Sequence, residues 1–411
     1  MKSIKALQII GSVFFIFLSA CMPVTKQEAV SVDPSPIPAT ATPSWSDALP
    51  MFRGSLDHIG VYNAPAIHKL GGVKWKFKAE GAVTTSPALA DGLIYFGSQD
   101  GNLYALNSES GEKVWGFHTE SPIDSSPAIS NGLVYFQSND GFTYALDAKS
   151  GTLKWKAETG PDRPIDFDFL SSSPTVQDHI VYIGGNNGKM YALNADTGAE
   201  IWAVDALGPN SIRSSPAVIG DTVYFTAESK LLALDKKTGK EKWAFKANSI
   251  TRSSPSVGEG LVVFGDNTST IYAVDSETGL EKWRYRITYY WVTSTAAISN
   301  GMVYIGGDDS YLNALDAKTG TEKWRFKTLG ETIWSSPALV NDVIYIGDWN
   351  FSGIKDENGN KIWGYLHAID SKTGTELWNF KTGGNIVSSP VVDAQGIIYF
   401  GSLDGYLYAL Q

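Results

Sequence analysis

The chain has 411 residues, 43 % of them hydrophobic and only 18 % charged, with a formal net charge of −10. That charge excludes general attraction to nucleic acid or to an anionic bilayer. A single cysteine, Cys21, excludes an intramolecular disulfide and a cysteine-based metal cluster. Aromatic residues at 12 %, with 13 Trp and 41 Gly, suit short strands and tight turns better than helices.

Residues 1–20 read as an export signal. Lys2 and Lys5 precede an apolar run from Ile9 to Leu18 that is too short to span a bilayer. It ends in Leu18-Ser19-Ala20-Cys21, which resembles the lipobox of bacterial lipoproteins. The resemblance implies a diacylglycerol on the Cys21 sulfur and cleavage before it. An ordinary secretory peptide with a chance cysteine is the alternative, against which the only Cys of the chain sits where the motif needs one. Two or more acyl chains give stable attachment, so the membrane is an expected partner through the anchor and not through a spanning segment. Residues 21–50 read as a Pro/Thr-rich tether with no apolar period, extended and disordered. Met22, which is not the Asp of inner-membrane retention in lipoproteins, directs the expectation to an outer membrane, on its periplasmic face or at the cell surface.

From Trp75 to the end, within a propeller domain read as residues 51–411, a block of about forty residues recurs eight times, the spacing of propeller blades. A Trp marker returns at positions 75, 115, 155, 202, 243, 283, 324 and 378. A run of the Tyr-Ala-Leu kind begins at Tyr104, Tyr144, Tyr191, Leu232, Tyr272, Asn313, His367 and Tyr408. Each block offers four β-rich runs, with turn pairs such as Asp100-Gly101, Asp140-Gly141 and Asp404-Gly405 between them. A second turn glycine joins each Tyr-Ala-Leu run to the next Trp run, from Gly111 to Gly374, one fewer than the blocks. The chain ends after the eighth Tyr-Ala-Leu run, and an orphan Trp75 run opens the array. The predicted fold is therefore all-β, an eight-bladed propeller of four-stranded antiparallel blades, closed by a strand at about residues 73–78 that completes the last blade.

The succession Ser-Ser-Pro-Ala, Val-Tyr-Phe-Gly, Tyr-Ala-Leu-Asp, Thr-Gly and Trp, together with Met51-Phe-Arg-Gly54, resembles the pyrroloquinoline-quinone-type propeller repeat. The resemblance implies that the Ser-Pro-Ala run lies nearest the axis and that the Trp rings pack between blades. That family holds both quinone-dependent dehydrogenases and scaffolds, so the fold does not settle function. The dehydrogenases typically set a disulfide of adjacent cysteines against the quinone and hold a metal ion with carboxylates. With no cysteine besides Cys21, no cofactor is expected, and pyrroloquinoline quinone is disfavoured. The histidines, His58, His68, His118, His179 and His367, show no ligand spacing, and the calcium-like run at 356–360 reads as an Asn-Gly hairpin. No metal site or catalytic residue is assigned.

Propeller topology puts the outer-to-inner connections and the connections between strands two and three on one face. Trp155 lies seventeen positions before Ser172, where Trp115 lies ten before Ser125, so residues 160–169 are an insertion; a second spans 348–364. Candidate binding residues on these loops are Asp166, Phe167, Phe169, Trp349 and Phe351. The position before each Ser-Ser step should ring the axis on the same face, giving Asp124, Arg213, Arg252, Thr293 and Trp334 as a candidate mouth. The leading functional expectation is a non-enzymatic, monomeric, lipid-anchored scaffold binding another envelope protein. It resembles the propeller lipoproteins of outer-membrane barrel assembly. A surface receptor for a small molecule or glycan is the alternative, and a quinone-dependent dehydrogenase the disfavoured third.

Overall fold

Each repeat of small, aromatic and Trp-bearing runs becomes one antiparallel sheet. In the computed structural model, which describes residues 50–161, 171–206, 211–351 and 364–411, the strands form eight such sheets. The signal segment, Cys21, the tether to residue 49, Asp166, Phe167, Phe169 and the turn at 356–360 lie outside the described residues. Blade 1 runs outward through Ala88–Ala90, Leu93–Gly97, Asn102–Asn107 and Lys113–His118, and blades 2 to 6 repeat that order.

The alanine of Tyr-Ala-Leu has a steric reason. Ala105 pairs with Tyr95 on one side and Trp115 on the other, so two large rings meet across a methyl group, 5.8 Å between centroids. Both rings carry a polar tip, and buried polar tips need partners. Trp115 Nε1 and Tyr95 Oη donate to the same carbonyl of blade 2, that of Ala148, at 3.0 and 3.1 Å. The Trp ring then lies on Gly151, which adopts φ +70° and where a Cβ would stand 2.7 Å from the ring. Equivalent Trp-to-carbonyl bonds at 2.7–3.2 Å cross six of the other seven seams, from Trp75, Trp155, Trp202, Trp283, Trp324 and Trp378. The Trp rings thus pack between blades, as the repeat implies. The buried core is divided accordingly, with clusters such as Tyr95, Trp115, Val134, Phe136 and Leu146 lying between neighbouring blades.

Closure also follows the sequence. Val73–Lys78 pairs antiparallel with Tyr406–Leu410, Trp75 opposite Ala409, and Gly71 N–H donates to the Gln411 carbonyl at 2.7 Å. The eighth turn, absent from the repeat, is replaced in space. Trp378 Nε1 donates to the Ile67 carbonyl at 2.8 Å and Ile67 N–H donates to Tyr345 Oη at 2.6 Å, so residues around Ile67 do for blade 7 what a hairpin does elsewhere.

The segment ahead of the closing strand fills the axis. Innermost strands leave axis-facing N–H groups unpaired, and a buried N–H needs an acceptor. The carbonyls of Pro50, Leu56, Asp57, Ile59 and Gly60 accept from Ile129, Val218, Val257, Ile298 and Leu339 in turn. Val61–Tyr62 then adds a parallel fifth strand to blade 7, against Ala338–Val340. Arg53, 2 % exposed, donates to the carbonyls of His58, Ala296 and Pro337, and burial lowers its pKa to about 10, still a cation at neutral pH.

Candidate functional site

The Ser-Ser-Pro step builds the axial wall. In five blades the first hydroxyl bonds the end of strand two in its own blade, as Thr85 Oγ1 does with Gly97 N–H and carbonyl, both at 2.9 Å. The second accepts the N–H of the same position in the preceding blade. Ser86 donates to Ser126, Ser126 to Ser173, and Ser389 back to Ser86, with like bonds at four more junctions, all between 2.8 and 3.0 Å. Side chains locked this way hold the residue just before them in register, and that residue faces the mouth.

Asp124, Arg213, Arg252, Thr293 and Trp334 do share one axial cavity, floored by Phe52 from the axial segment. Asp124 accepts from Thr84 Oγ1 at 3.0 Å, from Asn139 Nδ2 at 2.8 Å and from Gln99 Nε2. Thr293, 5 % exposed, keeps its hydroxyl without a hydrogen-bond partner. The cavity measures about 70 Å³. Ligand pockets run to ~300–1,000 Å³, so this cavity lies below that range.

Two members of the ring reach outward instead. Arg252 lies 4.6 Å over the Trp291 ring, and Trp334 Nε1 donates to Asp308 Oδ1 at 2.8 Å. Trp334 also meets Trp349 edge-on at 4.4 Å, and Trp349 stacks on Phe351 at 4.5 Å. Backbone bonds between Thr332 and Trp349, at 2.9 and 3.1 Å, fasten this loop to the mouth. The ring residue Trp334 and the loop residues Trp349 and Phe351, proposed separately from sequence, therefore form one aromatic cluster.

Beside it opens a cleft of about 470 Å³ lined by Tyr290, Trp291, Asp308, Glu331, Thr332, Trp334 and Phe351. Tyr289, Tyr290 and Phe351 are 65, 71 and 56 % exposed, on a fold that buries most of its rings. Burial pushes the Asp308 carboxyl up to about 7, against the hydrogen bonds it receives. Sequence reasoning missed Tyr290, Trp291, Asp308 and Glu331. A signal was present: the run Tyr289-Tyr290-Trp291 occupies a connection where blade 1 has Glu120-Ser121-Pro122.

His367 was likewise passed over. It is fully buried, with Nε2 3.0 Å from Asp348 Oδ2 and Nδ1 2.6 Å from Glu376 Oε1. Burial opposes its protonation, but the two carboxylates outweigh it and raise its pKa. Carboxylates on opposite nitrogens of one ring clamp a proton and do not converge on an ion. Among the described residues no group of three or more His, Cys, Asp or Glu is placed to hold a metal.

A family model described as outer membrane protein assembly factor BamB matches residues 62–285 and 233–366. The crystal structure of BamB from Moraxella catarrhalis superposes with a TM-score of 0.67 at 19 % identity, covering 84 % of this chain and all of that one. The quinohemoprotein alcohol dehydrogenase from Comamonas testosteroni gives 0.72 at 14 % identity, over 88 % of this chain and 80 % of that one. Likeness at these identities concerns the fold alone. In sequence, 1-butanol dehydrogenase (quinone) from Thauera butanivorans is 42 % identical over 59 residues, which is 14 % of this chain and 8 % of that protein.

Proposed function

We propose, for a chain that belongs to the family of the outer membrane protein assembly factor BamB, a non-enzymatic role as a protein-binding scaffold of the cell envelope, anchored by lipid at Cys21. The observation that carries this reading is the exposed aromatic surface of Tyr289, Tyr290 and Phe351 on the mouth face. Exposed apolar patches on an otherwise well-packed fold mark interaction surfaces. Large rings with few rotatable bonds bury much area on a partner at small entropic cost. The surface is carried by connections fastened to the axial hydrogen-bonded ring, so it is presented in a fixed shape. With Phe52 across the axis, binding belongs to the rim and its loops and not to a passage through the propeller.

The test is a crosslinked pull-down of the full chain from its native membrane, with the partner identified by mass spectrometry. Recovery of an outer-membrane barrel-assembly protein, abolished in a Tyr289→Ser, Phe351→Ser double variant, is the expected result. Failure to capture any envelope protein would overturn the scaffold role. The anchor has its own readout: Cys21→Ser should release the chain from membranes and abolish incorporation of a labelled fatty acid. Incorporation that survives the substitution removes Cys21 from the reading.

A further inference from the structure

We infer that the cleft over blades 6 and 7 is a binding site for a small organic ammonium ion, a cationic nitrogen carrying apolar carbon. The inference is independent of the scaffold role and concerns a ligand, not a protein partner.

The shape of the cleft comes first. Trp334 and Phe351, two walls of the cleft, stand 5.8 Å apart at 70°. Rings set at steep angles enclose a compact group from several sides, whereas a sugar ring stacks on one open flat face. Electrostatics then select the charge of the occupant. Aromatic faces are negative and attract cations. The cleft adds two carboxyl side chains, Asp308 and Glu331, and among the described residues no Lys or Arg lines it. The Trp291 ring, one of its walls, already carries a cation, the Arg252 guanidinium at 4.6 Å, which is an intramolecular instance of the proposed contact. A polar atom awaits a partner as well. Thr332 lines the cleft, is 6 % exposed, and its hydroxyl makes no hydrogen bond. An unsatisfied buried hydroxyl is costly, and a ligand bearing a polar group next to its cationic nitrogen relieves that cost. At about 470 Å³ the space holds a small molecule.

Choline is the probe, titrated against the full chain and followed by Trp fluorescence; 3,3-dimethylbutan-1-ol, its uncharged carbon isostere, and maltose are the controls. The expected result is saturable quenching by choline, with the isostere at least about tenfold weaker and maltose inert. Asp308→Asn keeps an acceptor for Trp334 Nε1 and removes the charge, and should weaken choline by about tenfold without altering the melting temperature. Phe351→Ala, at an exposed position, is the second variant and should weaken it several-fold. The groups facing Asp308 are Asp309 on its own turn, Arg252 from the blade 5 side, and Glu331 with Trp334 from the connection into blade 7. A cation prefers the ionised acid, so choline affinity of the unaltered protein should fall as pH drops from about 8 to about 6, and that dependence should vanish in Asp308→Asn. Equal binding of the isostere, undiminished choline binding in Asp308→Asn, maltose binding in place of choline, or no saturable signal up to about 100 mM choline would each overturn the inference.

Discussion

Blades 1 and 7 trace the same four strands, yet different chemistry holds them at corresponding places. In blade 1, Tyr104 opens the Tyr-Ala-Leu run and donates its hydroxyl to Asp100 Oδ2 at 2.9 Å, in the turn just before it. In blade 7 the same position is His367, set between Asp348 and Glu376. The outer seams differ too. Trp115 rests on a covalent hairpin through Gly151, whereas Trp378 donates to Ile67, a residue 311 positions away in sequence. The comparison separates a clamp that is neutral and local from one that titrates and depends on distant chain. A phenol keeps its proton across the physiological range, and burial raises the Tyr104 pKa further, with the Asp100 bond adding to it. The His367 imidazole, between two carboxylates, has its pKa raised and still changes charge as pH rises through it.

The largest expected effect is on blade 7. His367→Ala leaves the Asp348 carboxylate, which has no solvent exposure, without its charged partner, and should destabilise the fold by ~3–5 kcal/mol in chemical denaturation. A loss below about 1 kcal/mol would show that the pair is not ionised in the folded protein. Next comes blade 1's seam. Gly151→Ala places a methyl group 2.7 Å from Trp115 at φ +70° and should cost ~2–3 kcal/mol, while Ile67→Ala, which keeps the backbone carbonyl that Trp378 uses, should cost ~1 kcal/mol. Equal costs would mean that the distant strap is as tightly fitted as the hairpin.

The pH response sharpens the contrast. The folded pKa of His367 is raised, so its contribution is complete below the unfolded value of ~6.5 and is lost as pH rises through the folded value. Glu376, lowered chiefly by its bond to His367, contributes above its unfolded value and loses that contribution as pH falls through its folded one. The stability gap between the unaltered protein and His367→Gln should therefore be widest at about pH 5–6 and narrow as pH rises through the folded value of His367. Tyr104→Phe should be the smallest change, ~1 kcal/mol, and constant across that range. A pH-dependent Tyr104→Phe gap would erase the distinction between the two clamps.

The repeat made most of the fold legible. Periodic markers specify four strands per block, the turn glycine that lies beneath seven of the eight marker Trp rings and the count of blades, because each is set by neighbours within about one repeat, and the orphan Trp75 run specifies the strand that closes them. The axial ring was legible for the same reason: Asp124, Arg213, Arg252, Thr293 and Trp334 follow from one offset in the repeat, and the structure gathers them in one cavity. What that ring does was not legible. Nothing in Met51-Phe-Arg-Gly54 announces that Phe52 floors the axis or that Arg53 is buried against the carbonyls of Ala296 and Pro337. Trp334 reads as a rim residue, and only its meeting with Trp349 and Asp308 turns it into the wall of a cleft.

The sequence by itself thus determined the blade, its number, its seams and its closure, because short-range patterns of size and turn geometry repeat eight times and reinforce one another. The tertiary structure alone decided the axial plug, the His367 clamp and the Asp308 cleft. The plug and the cleft join residues brought from separate blades or connections by the curvature of the ring, and the clamp forms within blade 7 around a histidine that stands where most blades carry Tyr; such pairings leave no periodic trace in the chain.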